Sequence, residues 1–194
     1  MKRLACCSLL LLLSAVAPVL AAETYTVDPV HSQVGFAIRH FVSTVHGRFE
    51  EFSGTIVRDD EHPENASVVF AIQAASIDTD NAKRDTHLRS ADFFDVEKFP
   101  TIAFVSSIVR KTGDGRYDVT GHLTMHGVTR QVTLPVRFNG EMDDGHGGIR
   151  GGFSTSTTLD RKEFDIDWNR ILDNGAVMLG DDVDVQIDLE VTRR

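Results

Sequence analysis

Apolar and polar residues alternate along most of this chain with a period of two. The clearest case runs from Val183 to Val191, where valine, isoleucine or leucine occupies every second position and polar residues lie between them. Successive side chains of a β-strand point to opposite faces, so this pattern predicts strands with one apolar face and one solvent-facing side. Such strands are typical of antiparallel sheets.

Turn-forming residues separate the alternating segments at hairpin spacing. Gly113-Asp114-Gly115 lies between segments near 101–110 and 116–125, and His126-Gly127 precedes the segment 129–138. Short glycine-containing loops between two strands favour β-hairpins. Roughly eight strands joined in this way predict an all-β fold, namely an antiparallel eight-stranded β-barrel with room inside for about one slender ligand.

The alternation slips in phase once, between Phe49 and Phe52. An extra residue in one strand would produce this slip, so a β-bulge is predicted at Glu50-Glu51. A second irregular stretch, residues 159–180, does not follow a strand or a helix pattern.

The alternation is also lost from residue 80 to residue 92, where the spacing of charges changes. Asp80 precedes Arg84, and Asp85 precedes Arg89, by four positions. This acid-before-base arrangement stabilises a helix. The sequence therefore predicts a short helical insertion between two strands of the barrel.

The first 21 residues have the composition of a secretory signal peptide. Lys2 and Arg3 precede a short apolar stretch, and Ala21 ends a segment of small residues suited to cleavage. The competing interpretation is a membrane anchor, but the stretch is short for a bilayer span, so no stable membrane insertion is expected. The predicted organisation is a cleaved signal peptide at 1–21 and one domain at 22–194.

Cleavage would remove Cys6 and Cys7, the two cysteines of the chain, and so exclude disulfides and thiol chemistry from the domain. Loss of Lys2 and Arg3 as well leaves 18 basic residues against 29 acidic ones, a net charge of −11 with neutral histidines. This charge disfavours nucleic acid and anionic lipid headgroups unless a local basic patch intervenes. No long basic run exists, so no nucleic-acid partner is expected.

Histidines and carboxylates are numerous, but their spacing does not form a recognisable metal site or active site. His122 and His126 would lie roughly 13 Å apart on a strand. His40 and His46 could meet across a turn, but they lack an evident third ligand. The sequence also lacks nucleophile-elbow, zinc-protease, phosphate-binding and dinucleotide motifs. We predict no catalytic residue, no metal and no cofactor.

A series of short motifs follows one another along almost the whole of residues 22–194. The motifs are Tyr25–Ser32, Phe36 with Arg39-His40, Gly47–Phe49, Phe52–Gly54, Ser76–Thr79, Arg84–Ser90, Asp92–Asp95, Phe99-Pro100, Phe104 with Ser106, Gly121–Thr129, and Leu179–Asp181 with Val183. Together they resemble the YceI-like family of bacterial polyisoprenoid-binding proteins. The resemblance implies an extended, lipocalin-like barrel in the periplasm, an isoprenoid chain in its pore, and a homodimer as a frequent oligomeric state.

One position departs from the family pattern. The family often has Arg-x-x-Phe-Gly-Ile where this chain runs from Arg161 to Ile166, with Asp165 in place of the glycine. Glycine adopts backbone conformations that other residues rarely adopt, so the backbone at Asp165 is expected to differ from that of the family. The resemblance also favours residues 159–180 as an elaborated connection between the last two strands.

A lipid-binding barrel requires an apolar lining and a mouth that tolerates a polar headgroup. The lining candidates are Phe36, Ile38, Phe70, Phe104, Met125, Phe138 and Phe153, and the candidates for the mouth are Phe164 and Trp168. Periodicity alone favours a packed core made of these same residues. The family resemblance favours a ligand.

Arg84, His87 and Arg89 form the most concentrated basic group, and Asp85 lies among them. One interpretation is the capture of a phosphate or pyrophosphate headgroup. The other is a structural lock, in which Asp85 pairs with an arginine and fastens the connection 75–100 to the barrel. The lock is favoured because each arginine has an acid at pairing distance in the sequence.

The sequence and the resemblance predict a non-catalytic periplasmic binding or carrier protein, with a long polyprenyl or quinone-type isoprenoid lipid as its partner. Two alternatives stay open. One is a lipid-modifying enzyme with His40, Asp85 or His87 as acid–base groups. The other is a stress-related adaptor whose bound lipid is structural.

Overall fold

The computed structural model describes residues 22–59, 61–171 and 177–193. Strands account for most of this part of the chain. They are β1 (Glu23–His40), β2 (Ser43–Phe49), β3 (Phe52–Arg58), β4 (Ser67–Gln73), β5 (Ile77–Asp78), β6 (Thr101–Gly113), β7 (Arg116–Met125), β8 (Val128–Asp143), β9 (Ile149–Asp160) and β10 (Leu179–Arg193). One α-helix, α1 (Ala82–Arg89), lies between β5 and β6, and 3₁₀ turns lie at Pro63–Asn65, Ala74–Ser76 and Arg161–Phe164.

The strands form a closed antiparallel barrel. The sheet order is β10-β9-β8-β7-β6-β4-β3-β1-β2-β5, and pairing of β1 with β10 closes it. β2 and β3 are two parts of one barrel strand, and β5 is a two-residue attachment to β2. The barrel therefore has eight strands. This confirms the predicted all-β fold with a short helical insertion.

The strand that contains β2 and β3 is interrupted at the predicted position. β2 ends at Phe49 and β3 begins at Phe52, and both rings are buried. Glu50 and Glu51 leave the strand between them and are exposed. This break lets two phenylalanines three positions apart both point into the barrel.

Helix α1 begins after Asn81, whose side chain accepts a hydrogen bond from the backbone N–H of Arg84 at 3.0 Å. The charge pairs that suggested this helix do not form as expected. Asp80 lies 3.4 Å from the guanidinium of Arg48, and Arg84 donates to Thr79 instead. Asn81 at the helix start therefore replaces the expected pairs as the local stabiliser. No helix within the described ranges is long and apolar enough to cross a bilayer.

Two halves of the barrel interior are packed differently. The closed half lies around the starts of β1 and β9 and the end of β8. There, the rings of Tyr25 and Phe153 meet edge to face with centroids 5.7 Å apart, and Phe138 lies 5.1 Å from Phe153. Tyr25 has no exposed surface, and Phe153 is also buried. Aromatic side chains fill this half.

Ion pairs cover the closed half beyond Tyr25. The tyrosine hydroxyl lies 2.7 Å from Oε2 of both Glu23 and Glu141. Burial raises the pKa of Tyr25 above its ordinary value, and the two carboxylates raise it further. Arg58 pairs with Glu23, and Arg193 pairs with both glutamates. The acids at this end are therefore neutralised.

Candidate functional site

The other half of the barrel, the open half, contains a cavity of about 660 Å³. The ends of β1 and β7 and the starts of β6 and β10 supply much of its wall. Its apolar lining includes Phe36 and Ile38 of β1, Met125 of β7, and Val183 and Val185 of β10. The volume is within the range of about 300–1,000 Å³ that is usual for ligand sites.

Phe36 depends for its position on a glycine in the neighbouring strand. Phe36 pairs with Gly47 of β2, and a Cβ atom added at position 47 would overlap the Phe36 ring. The ring also packs against Phe49, with centroids 5.7 Å apart. The absence of a side chain at Gly47 lets the ring lie over the neighbouring strand.

Polar side chains lie together on the part of the cavity wall beside α1. These lining residues are His40, Thr79, Asn81, Lys83, Arg84, His87 and Arg161. Most of them belong to α1 or to the segment that precedes it. The cavity lining is therefore mostly apolar, and most of its polar side chains lie near the helix.

Side chains of α1 fasten the helix to the segment that contains β5. The buried Asp85 accepts hydrogen bonds from the backbone N–H and the hydroxyl of Thr79, at 3.0 and 2.5 Å. Arg84 donates to the Thr79 hydroxyl and carbonyl oxygens, both at 2.7 Å. Arg89 donates to the carbonyls of Ala75 and Ile77, at 2.7 and 2.6 Å. Each contact joins the helix to residues 75–79.

Arg161 organises the connection between β9 and β10. Its guanidinium is buried and donates to the carbonyls of Gly180, Ile166 and Trp168, at 2.9, 2.5 and 2.9 Å. It also lies 3.2 Å from the carboxylate of Asp181. A hydrogen bond from Lys162 and the nearby charges of both cations lower the pKa of that carboxyl group. These contacts hold the described part of the connection at the cavity wall, which Arg161, Ile166 and Trp168 help to line.

Aromatic contacts link this connection to the helix. Trp168 lies edge to face with His87 at 4.9 Å and is 5.1 Å from Phe93. His87 also contacts Asp92 through Nε2 at 2.8 Å. Trp168, His87 and Phe93 all line the cavity. Their contacts join the helix region to the β9–β10 connection along the cavity wall.

The sequence-predicted lining residues divide into two groups. Phe36, Ile38, Met125 and Trp168 lie on the cavity wall. Five others lie away from it: Phe70, Phe104, Phe138, Phe153 and Phe164. Strand alternation predicts which side chains point into the barrel but not how far along the barrel axis they lie. It therefore does not separate cavity-lining residues from residues of the packed interior. Phe164 is fully buried beside Arg161 and is not a mouth residue.

The basic group is divided in the same way. Arg84 and His87 line the cavity, whereas Asp85 and Arg89 do not. Asp85 bonds to Thr79 and not to an arginine, which corrects the expected pairing. The arginines instead satisfy backbone carbonyls, which are the acceptors available beside β5.

A different cluster brings together three groups that are able to bind a metal ion. Among the described residues, Asp28, His31 and Glu190 have ligand atoms within 4.8 Å of one another. Arg150 contacts both carboxylates, at 2.7 and 2.5 Å. The arginine already supplies the positive charge that these carboxylates need.

Comparison with known proteins agrees with this architecture. The model of the YceI-like domain matches residues 25–191. The chain belongs to the YceI-like family. A UPF0312 protein of Pseudomonas putida is 45% identical over 150 residues, which cover 76% of this chain and 78% of that protein.

Solved structures show the same YceI-like fold. Burkholderia cenocepacia BcnA has a TM-score of 0.74 and 26% identity, over 84% of this chain and 98% of that one. A polyisoprenoid-binding domain from Saccharophagus degradans, implicated in plant cell wall breakdown, has a TM-score of 0.66 and 14% identity. That match covers 86% of this chain and 97% of the other, and it shows the shared fold.

Asp165, the departure from the YceI-like pattern, has a left-handed backbone with φ of 57°. This region favours glycine, and aspartate is one of the residues that tolerate it best. Asp165 therefore has a backbone conformation that glycine adopts more readily. The expected difference from the family backbone stays a prediction.

Sequence reasoning missed Arg161 as an organising residue, although it is part of the YceI-like motif. It also missed the cavity-lining Val183 and Val185, which were recognised only as strand residues. An arginine at the end of a strand is usually exposed, so nothing in the sequence marks Arg161 as buried. The partners of Arg161 are not predictable from the sequence, because its acceptors include backbone carbonyls up to 19 positions away.

Proposed function

We propose that this protein is a non-catalytic carrier that holds a long isoprenoid lipid in the cavity of the open half. The observation that carries the proposal is a mostly apolar cavity of about 660 Å³ whose polar side chains are concentrated beside α1. An isoprenoid lipid has the same division, because a long apolar chain ends in one small polar group.

The free energy available from such a chain is large. Each buried CH₂ contributes about 0.8 kcal/mol, so roughly 25 buried carbons would nominally contribute ~20 kcal/mol. That value is near the practical ceiling for non-covalent affinity, and the ordering of a flexible chain offsets part of it. Slow exchange is expected even without a strong headgroup contact.

Two comparisons support this class of ligand. The chain belongs to the YceI-like family. The Saccharophagus degradans neighbour is named as a polyisoprenoid-binding domain. We extend the ligand in that name to this chain, on the basis of the apolar cavity.

The headgroup is proposed to lie beside residues 79–87. Arg84 and Arg89 donate to backbone carbonyls, which supports the structural lock for these two side chains. Lys83 is exposed at the cavity wall, and His87 lies at the mouth. These two side chains are therefore the candidates to contact a polar head.

We also propose that this carrier is exported to the periplasm. The predicted signal peptide, residues 1–21, lies outside the described residues, so the proposal depends on its sequence alone. An apolar cavity is useful in a watery compartment between two membranes, because it shields a lipid chain from water. The homodimer stays a prediction from the family resemblance.

Native mass spectrometry of protein purified from its own host tests the proposal. The expected spectrum contains an adduct of isoprenoid mass, and extraction of that lipid distinguishes a quinone, an alcohol and a phosphate. Protein that carries no lipid, and takes up none when incubated with polyprenyl alcohol or quinone, would contradict the proposal.

The main alternative is an enzyme that acts on the lipid. It has one structural observation in its favour, because His40 and His87 both line the cavity. Incubation of the extracted lipid with the protein separates the two functions, since a carrier returns the lipid unchanged. For the adaptor alternative, partner binding that persists after delipidation is the distinguishing result.

A further inference from the structure

A small ribbon extends the barrel at the edge of the cavity. The backbone N–H of Phe41 donates to the carbonyl of Met178 at 2.8 Å, and that of Met178 donates to the carbonyl of Arg170 at 2.9 Å. Ile171 and Val177 form an antiparallel bridge beside them. We call residues 40–42, 169–171 and 177–179 the lip.

The lip exposes several apolar side chains together. Val42 is fully exposed, Ile171 is 72% exposed, and Phe41 and Val177 are also accessible. Single exposed apolar residues are ordinary on a protein surface. Four that belong to one ribbon form a local apolar patch, which is typical of an interaction site.

The backbone of the lip also indicates a functional constraint. Phe41 has a φ of 51°, in the left-handed region that bulky residues rarely adopt. Such conformations persist where the surrounding structure imposes them, and they are concentrated at functional sites. Here the conformation belongs to the turn that presents Phe41 and Val42.

The lip is continuous with the cavity. His40, Met178 and Leu179 belong to the lip and line the cavity as well. Asn169 fixes the ribbon at this point, because its side chain donates to the carbonyl of Leu179 at 2.8 Å and accepts from the Leu179 N–H at 3.1 Å. The exposed apolar side chains are therefore next to the route into the barrel.

Charge on the lip differs from that of the whole chain, whose net charge is −9. The described residues of the lip contain no carboxylate and include the exposed Arg170, and the exposed Arg39 directly precedes residue 40. In the sequence, Asp167 and Asp173 each lie three positions from Arg170. Within the described part of the chain, no carboxylate lies at ion-pair distance from either arginine. The flanking Asp181 is already paired with Arg161 and Lys162. Two exposed arginines therefore lie in or directly beside the exposed apolar side chains of the lip.

We propose that the lip is a docking surface for a bilayer that contains anionic phospholipid. Exposed apolar side chains with neighbouring arginines match the interface of such a bilayer. A second copy of the chain fits less well, because a standard protein interface uses about 20–30 residues on each side. This inference goes beyond lipid binding in the cavity, since it states where the protein meets the membrane.

Co-sedimentation with vesicles of phosphatidylethanolamine and phosphatidylglycerol tests the proposal. The variant is Val42→Asp, in the turn between β1 and β2, and the matched control is Val30→Asp, which places the same charge at an exposed valine of β1 outside the lip. We expect wild-type protein and the control to bind equally. Val42→Asp should bind about tenfold more weakly or less, and salt should weaken the binding of wild-type protein.

Three results would overturn the proposal: no binding by wild-type protein, equal binding by Val42→Asp, or an equal loss in the control. Analytical ultracentrifugation tests the alternative that the lip binds a second copy of the chain. If Val42→Asp abolishes a dimer and leaves vesicle binding unchanged, bilayer docking is overturned. Native mass spectra of the same samples separate the two proposals. A lipid adduct that persists without vesicle binding contradicts docking alone.

Discussion

The closed and open halves of this barrel are built from the same strands and the same alternation, yet one is filled and the other is hollow. In the closed half, Tyr25 and Phe153 are buried and pack edge to face. In the open half, Val185 and Val183 of β10 lie beside Phe36 and Ile38 of the paired strand β1, on the wall of a cavity of about 660 Å³. The period of two specifies which side chains point inward. The sizes of the inward-pointing side chains decide whether they fill the interior or leave a cavity.

The two halves are also held together by different contacts. Ion pairs between strands cover the closed half, as in the Glu23–Arg58 and Glu141–Arg193 contacts. In the open half, Arg161 and the arginines of α1 bind backbone carbonyls of the covering segments. The comparison therefore predicts different consequences for substitutions in each half.

The largest difference is expected for removal of a phenylalanine ring. Phe153→Ala should lower the free energy of unfolding by about 3–5 kcal/mol, because it leaves a void in a packed region. Phe36→Ala should cost clearly less, since that ring already borders open space. Chemical denaturation measures both values. Equal losses would show that the two halves are not packed differently.

Arg161→Gln should act mainly on the open half. Loss of hydrogen bonds from a buried charged group costs about 1.5–3 kcal/mol locally. Trp168 is the single tryptophan of the chain and reports on this half through its emission. We expect its emission to shift to longer wavelength while far-UV circular dichroism keeps the barrel signal. An unchanged Trp168 emission would show that Arg161 does not position the connection.

A smaller effect is expected from an acid-dependent contact on the outside of the closed half. Hydrogen bonds from His31 and Arg150 lower the pKa of Asp28 to about 2. Because the folded-state pKa lies below the unfolded value of about 3.9, the stabilisation is present above pH ~4 and is lost as the pH falls towards 2. Solvent screening limits it to about 1 kcal/mol.

Asp28→Asn should therefore lower the free energy of unfolding near neutral pH and converge on wild-type protein only as the pH falls below 2. Denaturation curves at several pH values measure this difference. If the difference between the two proteins stays constant as the pH is lowered, the effect is due to packing and not to the charge on Asp28.

The smallest effect is expected at Asp165. Asp165→Gly should leave the free energy of unfolding unchanged or raise it by up to about 1 kcal/mol. Glycine removes the steric strain of the left-handed backbone, but it also makes the unfolded chain more flexible, and the second effect offsets part of the first. Asp167→Gly is the control, since Asp167 lacks a positive φ. Thermal denaturation should rank Asp165→Gly above Asp167→Gly, and the reverse order would contradict this account.

Much of the fold was predictable because it depends on local pattern. Alternation identified the strands, and the phase slip located the break at Glu50-Glu51. The charges of residues 80–92 located α1, although Asn81 and Thr79 stabilise it in place of the expected ion pairs. The spacing of charges therefore predicted the helix correctly but not the contacts that stabilise it.

The site was less predictable because it depends on depth along the barrel and on distant backbone groups. Phe104 and Met125 belong to neighbouring strands and share the inward face, but Met125 borders the cavity while Phe104 lies in the packed interior. Nothing in the alternation distinguishes them. The acceptors of Arg161 and Arg89 are carbonyl groups, which the identity of a residue does not reveal.

The most direct test of the account compares two tryptophan variants for the lipid that they retain. Val185→Trp places a large ring in the cavity, and Val105→Trp places the same ring on the exposed side of β6. Native mass spectrometry of both proteins, purified from the same host, measures the fraction that carries lipid. We predict that Val185→Trp loses most of its isoprenoid adduct while Val105→Trp keeps it. Equal retention by two folded variants would contradict binding in the cavity of the open half.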